Sequence, residues 1–297
     1  MLPAPIFLGL LCLCGVLTYS GDAAICPKVA QVRQLTVIQL ANSIDVSVYW
    51  QPGCTSCLRA KEFLTRHNVP FRSRNVLADT EAYEELARFG IKRVPIVSKG
   101  NEWVDGQSLK DVARLVGIEH IATRQYAPVE LVRRLFAVID GAGRYIEQVP
   151  AASLEATVLP NRPRSLIQLG YHLFNVADAF VEHEEGIPLT FEAYCREPAP
   201  GTMPKAELLE YRTKVRNRVS TWWETKGPTR DWKQRADVYY AEQTMHDYLE
   251  RTTWHAGQHT RQLMWMMDDA LGIAPDRPLG AETFGGLPMP QSVWDPA

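Results

Sequence analysis

Two groups of residues in this 297-residue chain are of a type and spacing that do chemistry: a Cys54-Thr-Ser-Cys57 pair, and three histidines, His172, His255 and His259. Pro52 and Gly53 break a strand-like run just before Cys54, and Leu58, Ala60, Phe63 and Leu64 then recur at helical spacing. Cys54 is therefore expected at a helix N-terminus with Cys57 one turn inside. Free N–H groups and the helix dipole there stabilise a thiolate, which makes Cys54 the attacking thiol and Cys57 the resolving one. A competing reading makes the pair half of a zinc site, which needs two further ligands that Cys12, Cys14 and Cys26 do not supply convincingly. Another keeps the fold as a thiol-binding platform without turnover.

His255 and His259 stand at i and i+4, about 40° apart on one helix face. Thr252, Leu263 and Met266 share that face, and His172 lines up with Leu169, Val176 and Ala179 on an earlier helix. Three imidazoles converging inside a helical layer leave an open coordination position, as in a catalytic metal site. The plainer alternative is a set of hydrogen-bonded core histidines. His246 falls about 140° from His259 around the helix and is read as flanking. His183, among Glu182, Glu184 and Glu185, is read as solvated or capping, and Cys195 as incidental.

The elements that must position these groups form two patterns. Residues 44–118 alternate strand and helix: a strand Val46–Trp50, a helix to His67, a strand Phe71–Val76, a helix capped by Asp79 and ended near Gly90, strands at Ile91–Val97 and Glu102–Val104, and a last helix through Leu109 and Leu115. Residues 119–127 form a linker ending near Pro128. Four amphipathic helices follow within 128–297, over Val129–Val149, Arg164–Glu185, Lys205–Lys226 and Ala236–Leu271, and no strand is expected among them. The fold class is thus α/β followed by all-α.

Residues 45–118 resemble the glutaredoxin-type members of the thioredoxin-like proteins, with Val94-Pro95 matching the cis-proline loop. The resemblance implies thiol-disulfide oxidoreductase activity at Cys54 and Cys57 with glutathione or another low-molecular-weight thiol as cosubstrate. It assigns thiol binding to Arg93, Val94, Pro95 and Gly106, although the family's Gly-Gly-x-Asp segment is represented only by Asp105-Gly106-Gln107-Ser108. Residues 128–297 resemble the DinB-like helical metalloproteins, an up-down four-helix bundle with one histidine on its second helix and His-x-x-x-His on its fourth. That resemblance implies a divalent metal on His172, His255 and His259, zinc first with nickel or iron as alternatives, and thiol-dependent transferase or isomerase chemistry on a small electrophile. Pairing of two copies through the bundle is a further expectation. A non-catalytic reading remains, in which Cys54–Cys57 oxidation controls binding to a partner.

Composition narrows the setting. Lys and Arg number 32 against 34 Asp and Glu, a net charge of −2 that offers no field for holding nucleic acid. Six cysteines are too sparse for a disulfide-stapled secreted scaffold. Residues 1–43 read as an extension: the apolar run Ile6 to Leu17 has signal-peptide length but no preceding Lys or Arg, so it is either an export or anchoring segment or a start called too early. A cytoplasmic protein without a stable membrane span is the expectation, with export or anchoring through Ile6 to Leu17 as the alternative.

Overall fold

The computed structural model describes residues 45–119, 126–157 and 164–295. The apolar run Ile6 to Leu17 and most of the expected linker lie outside them. Among the described residues no helix is long and apolar enough to cross a membrane.

Val46–Trp50 (β1) is the β-branched and aromatic segment expected of a central strand, and four of its five residues are buried. It pairs in parallel with Arg72–Asn75 (β2) and antiparallel with Ile96–Lys99 (β3), which pairs antiparallel with Glu102–Asp105 (β4). The sheet order is β2-β1-β3-β4. The register sets Val48 opposite both Ser73 and Val97. Three helices accompany the sheet: Thr55–Arg66 (α1), Thr80–Arg88 (α2) and Leu109–Val116 (α3). Their N-caps are Cys54, Asp79 and Ser108, each accepting from a backbone N–H in the first turn. The expected strand over Ile91–Val97 is shorter: strand pairing begins only at Ile96, directly after the cis Val94–Pro95 peptide, and Pro95 has no N–H to give a ladder. Together these elements make a thioredoxin-like α/β domain.

The remainder is largely helical. Pro128–Gln148 (α4), Leu166–Glu184 (α5), Lys205–Thr225 (α6) and Met245–Trp265 (α7) surround one apolar core in which Tyr145, Phe174, Phe180 and Tyr248 are fully buried. Helix α4 packs on α7, α7 on α5, α5 on α6, and α6 back on α4. Strands do occur here, against expectation. Arg235–Ala236 (β5) pairs with Gln243–Thr244 (β6), so the last long helix starts at Met245 and not at Ala236. Thr244 then caps α7 reciprocally with Asp247, which satisfies first-turn N–H groups that an uninterrupted helix would not have exposed.

Residues 44–297 form one compact unit, so the α/β and helical parts are not independent bodies. Helix α1 packs directly on α7. Arg59 donates from Nε to the Pro288 carbonyl at 2.8 Å and lies over the Trp254 ring. A C-terminal strap, residues 288–295, is held from both sides. The Glu62 carboxylate accepts from the backbone of Gln291 and Ser292, and Lys61 pairs with Asp295. Arg261 donates to the carbonyls of Pro290 and Gln291, and Gln258 to those of Ser292 and Val293.

Candidate functional site

Cys54 ends the loop after β1 and caps α1. Its sulfur accepts the Cys57 backbone N–H at 3.2 Å, and the two cysteines are joined as a disulfide with Cα atoms 5.2 Å apart. Cys57 is fully buried whereas Cys54 is only half-buried. Of the two sulfur-bearing residues, Cys54 is thus the more accessible. Gly106 donates its N–H to the Pro95 carbonyl at 2.9 Å. A Cβ at Gly106 would lie 3.0 Å from the Pro95 Cβ, so any larger residue here would have to push the proline back by a few tenths of an ångström.

Arg93 and Val94 line the same cavity as Cys54. The Arg93 Nε donates to Asp105 at 3.0 Å, so a cosubstrate carboxylate would share this guanidinium with a buried carboxylate. Burial raises the Asp105 pKa, opposed by the Gln107 N–H and by Arg93.

The three histidines converge. One nitrogen from each of His172, His255 and His259 lies within 4.8 Å of the others, and all three residues are buried. The capping box of Ser165 and Gln168 fixes the start of α5, and His172 faces the core two turns on. His255 and His259 come from successive turns of α7, with their Nε2 atoms 3.0 Å apart.

The surrounding bonds decide the tautomers. Gln262 donates from Nε2 to the Val293 carbonyl, which turns its Oε1 toward His259 Nδ1 at 2.7 Å. His259 must then carry its proton on Nδ1, leaving Nε2 bare toward His255. Burial first, then the His259 imidazole and the Arg251 guanidinium, hold the His255 pKa well below the usual histidine value, so the ring stays neutral. Three buried imidazoles that each bring one nitrogen within 4.8 Å of the others, one of them braced by an amide oxygen, are a donor set that could hold a divalent cation.

The two groups meet in one place. A cavity of about 280 Å³ is lined by Cys54, Thr55 and all three histidines. The Thr55 hydroxyl lies 3.1 Å from His255 Nδ1 and 3.3 Å from Nε2. This juxtaposition joins residues 200 positions apart in sequence, and nothing in periodicity or spacing announces it.

Arg251 was also missed. Its guanidinium is buried between the rings of Tyr194 and Tyr240, at 4.4 and 4.5 Å, and donates to Gln107. The signal was available: Arg251, His255 and His259 stand at i, i+4 and i+8 on one face. His183 is neither free in solvent nor a cap. It accepts the Asp237 N–H at 3.0 Å and packs edge-on against Tyr248, which ties the β5–β6 hairpin to α5. His246 is not one of the clustered histidines; its Nε2 lies 2.8 Å from the Tyr126 carbonyl. Cys195 lines the cavity and is exposed, yet desolvation by the atoms around its thiol pushes its pKa up to about 11, with Arg164 pulling the other way.

The sheet order, the Cys-x-x-Cys cap and the cis-proline loop define a thioredoxin-like redox domain. Comparison with known proteins refines the class: residues 46–104 match the glutaredoxin family model. Global transcriptional regulator Spx 2 of Lactococcus lactis is 34% identical over 61 residues, 20% of this chain and 41% of that protein. Spx of Bacillus subtilis is 29% identical over 86 residues, covering 25% and 65% respectively. The chain thus spans about two-fifths of the length of the first of these relatives. A crystallised variant of the thioredoxin-like protein BC3987 is 32% identical, with 25% of this chain and 97% of that one covered and a TM-score of 0.25. The redox domain is glutaredoxin-like, and its relatives of this kind include regulators.

Proposed function

We propose that this chain is a thiol-dependent enzyme in which a glutaredoxin-type exchange site and a divalent metal centre serve one cavity. The observation that carries it is the contact of Thr55, between the two cysteines, with His255, one of the three clustered histidines. His172, His255 and His259 would hold the metal, most readily zinc, with nickel or iron as alternatives; the resemblance of residues 128–297 to DinB-like bundles supports that assignment. When bound, the metal supplies Lewis acidity at its open position.

The residues of the chain do the rest. Reduced Cys54 attacks one sulfur of a disulfide RS–SR′, forming Cys54–S–SR and releasing R′S⁻. Cys57 then attacks the Cys54 sulfur, closing the Cys54–Cys57 disulfide and releasing RS⁻. Two equivalents of glutathione or another low-molecular-weight thiol return the dithiol and leave as their own disulfide. Arg93 and Val94 line the cavity with Cys54, where Arg93 would offer the thiol a cation, and Pro95 and Gly106 would frame its path as the glutaredoxin resemblance implies. The small electrophile that accepts the thiol is the substrate class, and isomerisation or conjugation are the reaction types.

Metal analysis of the purified full chain, together with glutathione-dependent reduction of a mixed disulfide, tests this. Near one metal per chain is expected, lost in His259→Ala, with exchange abolished in Cys54→Ser. Unchanged metal content in His259→Ala, or full exchange in Cys54→Ser, refutes it. The regulators among the relatives favour a second reading, in which oxidation of the pair controls a macromolecular partner. Under that reading the chain turns over no thiol acceptor, and partner capture depends on the redox state.

A further inference from the structure

We infer that Cys54, once its disulfide to Cys57 is opened, is the fourth ligand of the metal held by His172, His255 and His259. This rests on the metal-centre reading above and adds that the chain supplies its own thiolate to the metal.

The placement of α1 carries the inference. Its first residue, Thr55, touches both ring nitrogens of His255, so the helix N-terminus bearing Cys54 rests against the cluster. Cys54 lines the cavity with the histidines, whereas Cys57 is buried behind it and does not. Three imidazoles leave a tetrahedral cation one ligand short, and a thiolate is the strongest such donor for zinc.

The other donors lining the cavity are poorer. Glu197 is paired with Arg164 at 3.5 Å. Cys195 is exposed, whereas the three histidines are all buried.

In the oxidised chain the Cys54 sulfur is bonded to Cys57 and is a weak donor. Reduction by two low-molecular-weight thiols delivers two electrons, gives one thiol at each cysteine and releases the oxidised reagent as a disulfide. Binding to the metal then displaces the Cys54 proton to solvent. The redox state of the pair thereby sets whether the open position faces substrate or is closed by the protein.

The test uses the full chain stripped of metal and titrated anaerobically with Co²⁺, as the disulfide and after phosphine reduction with the phosphine removed. The expected result is one Co²⁺ per chain in both states, with an intense thiolate-to-cobalt charge-transfer band only in the reduced one. Affinity should be about tenfold or more higher there. The band should vanish in reduced Cys54→Ser and persist in reduced Cys57→Ser and Cys195→Ser, each checked for native circular dichroism. One bound Co²⁺ with identical spectra in both states, or a band that survives Cys54→Ser, overturns the inference and leaves the metal centre standing. Failure to bind Co²⁺ in either state, or equal binding by His259→Ala, removes the centre itself.

Discussion

Gln262→Leu separates a metal centre from a merely hydrogen-bonded trio of core histidines. Gln262 is 1% exposed, accepts from His259 Nδ1 at 2.7 Å and donates to the Val293 carbonyl at 3.2 Å. Leucine keeps the volume but removes the acceptor that fixes His259 with Nε2 bare. Residues that brace a ligand histidine in this way are worth about 10–100-fold in metal affinity, or about 1.4–2.7 kcal/mol. A buried hydrogen bond to a neutral ring contributes about 1 kcal/mol net, and more when its loss leaves a buried donor unpaired, so the two routes agree. The assay is zinc competition against a chromophoric chelator at neutral pH, on protein shown to be folded. Gln262→Glu supplies a stronger acceptor and should restore affinity to the wild-type level or above. Equal zinc affinity in Gln262→Leu and wild type would show that the His259 tautomer does not matter, and the argument from bare nitrogens would fall.

Gly106→Ala pushes a methyl to 3.0 Å from the Pro95 Cβ, and a destabilisation of about 1–2 kcal/mol in urea unfolding is expected, with slower thiol exchange. No change in either would mean that the loop relaxes freely. With its pKa near 11, the Cys195 thiol should be about one part in a thousand thiolate at pH 8, so iodoacetamide should label reduced Cys54 far faster than Cys195 in mass-spectrometric time courses. Arg133 first, then Arg134, pull the Glu130 carboxyl down to about 2. A depressed carboxylate stabilises the fold above its unfolded pKa of about 4.5, and the contribution is lost as pH falls through 2. Solvent screens this partly exposed group, so Glu130→Gln should cost no more than about 1 kcal/mol at pH 7, with the difference from wild type gone by about pH 2. A difference that grew on acidification would reverse that sign.

Much of the redox domain was legible because its signals are local. Pro52-Gly53 before Cys54, Asp79 three residues ahead of Ala82, and Val94-Pro95 each fix backbone geometry within a few residues, and each stands where the sequence suggests. The histidine cluster was legible through periodicity, which reports a shared face without needing the partner. The start of α7 was misread because Val238, Tyr239 and Tyr240 look helical to a hydropathy pattern, although Thr244 and Asp247 already spelled a capping pair. The shared cavity was not legible at all. Which face of α1 meets which face of α7 depends on complementary surfaces far apart in the chain, and both helices have more than one buried face to offer.

The strap of residues 288–295 bears on how such a chain can be altered. Glu62 and Lys61 on one side and Gln258 and Arg261 on the other grip the same eight residues, so the α/β domain is fastened to its neighbour like a lid under a clasp. A homologous redox domain transplanted in its place would have to bring its own grip on the strap as well as its own cysteines. The glutaredoxin-like part is thus no exchangeable cassette, and the cavity beside Cys54 is walled partly by residues that belong to the other half.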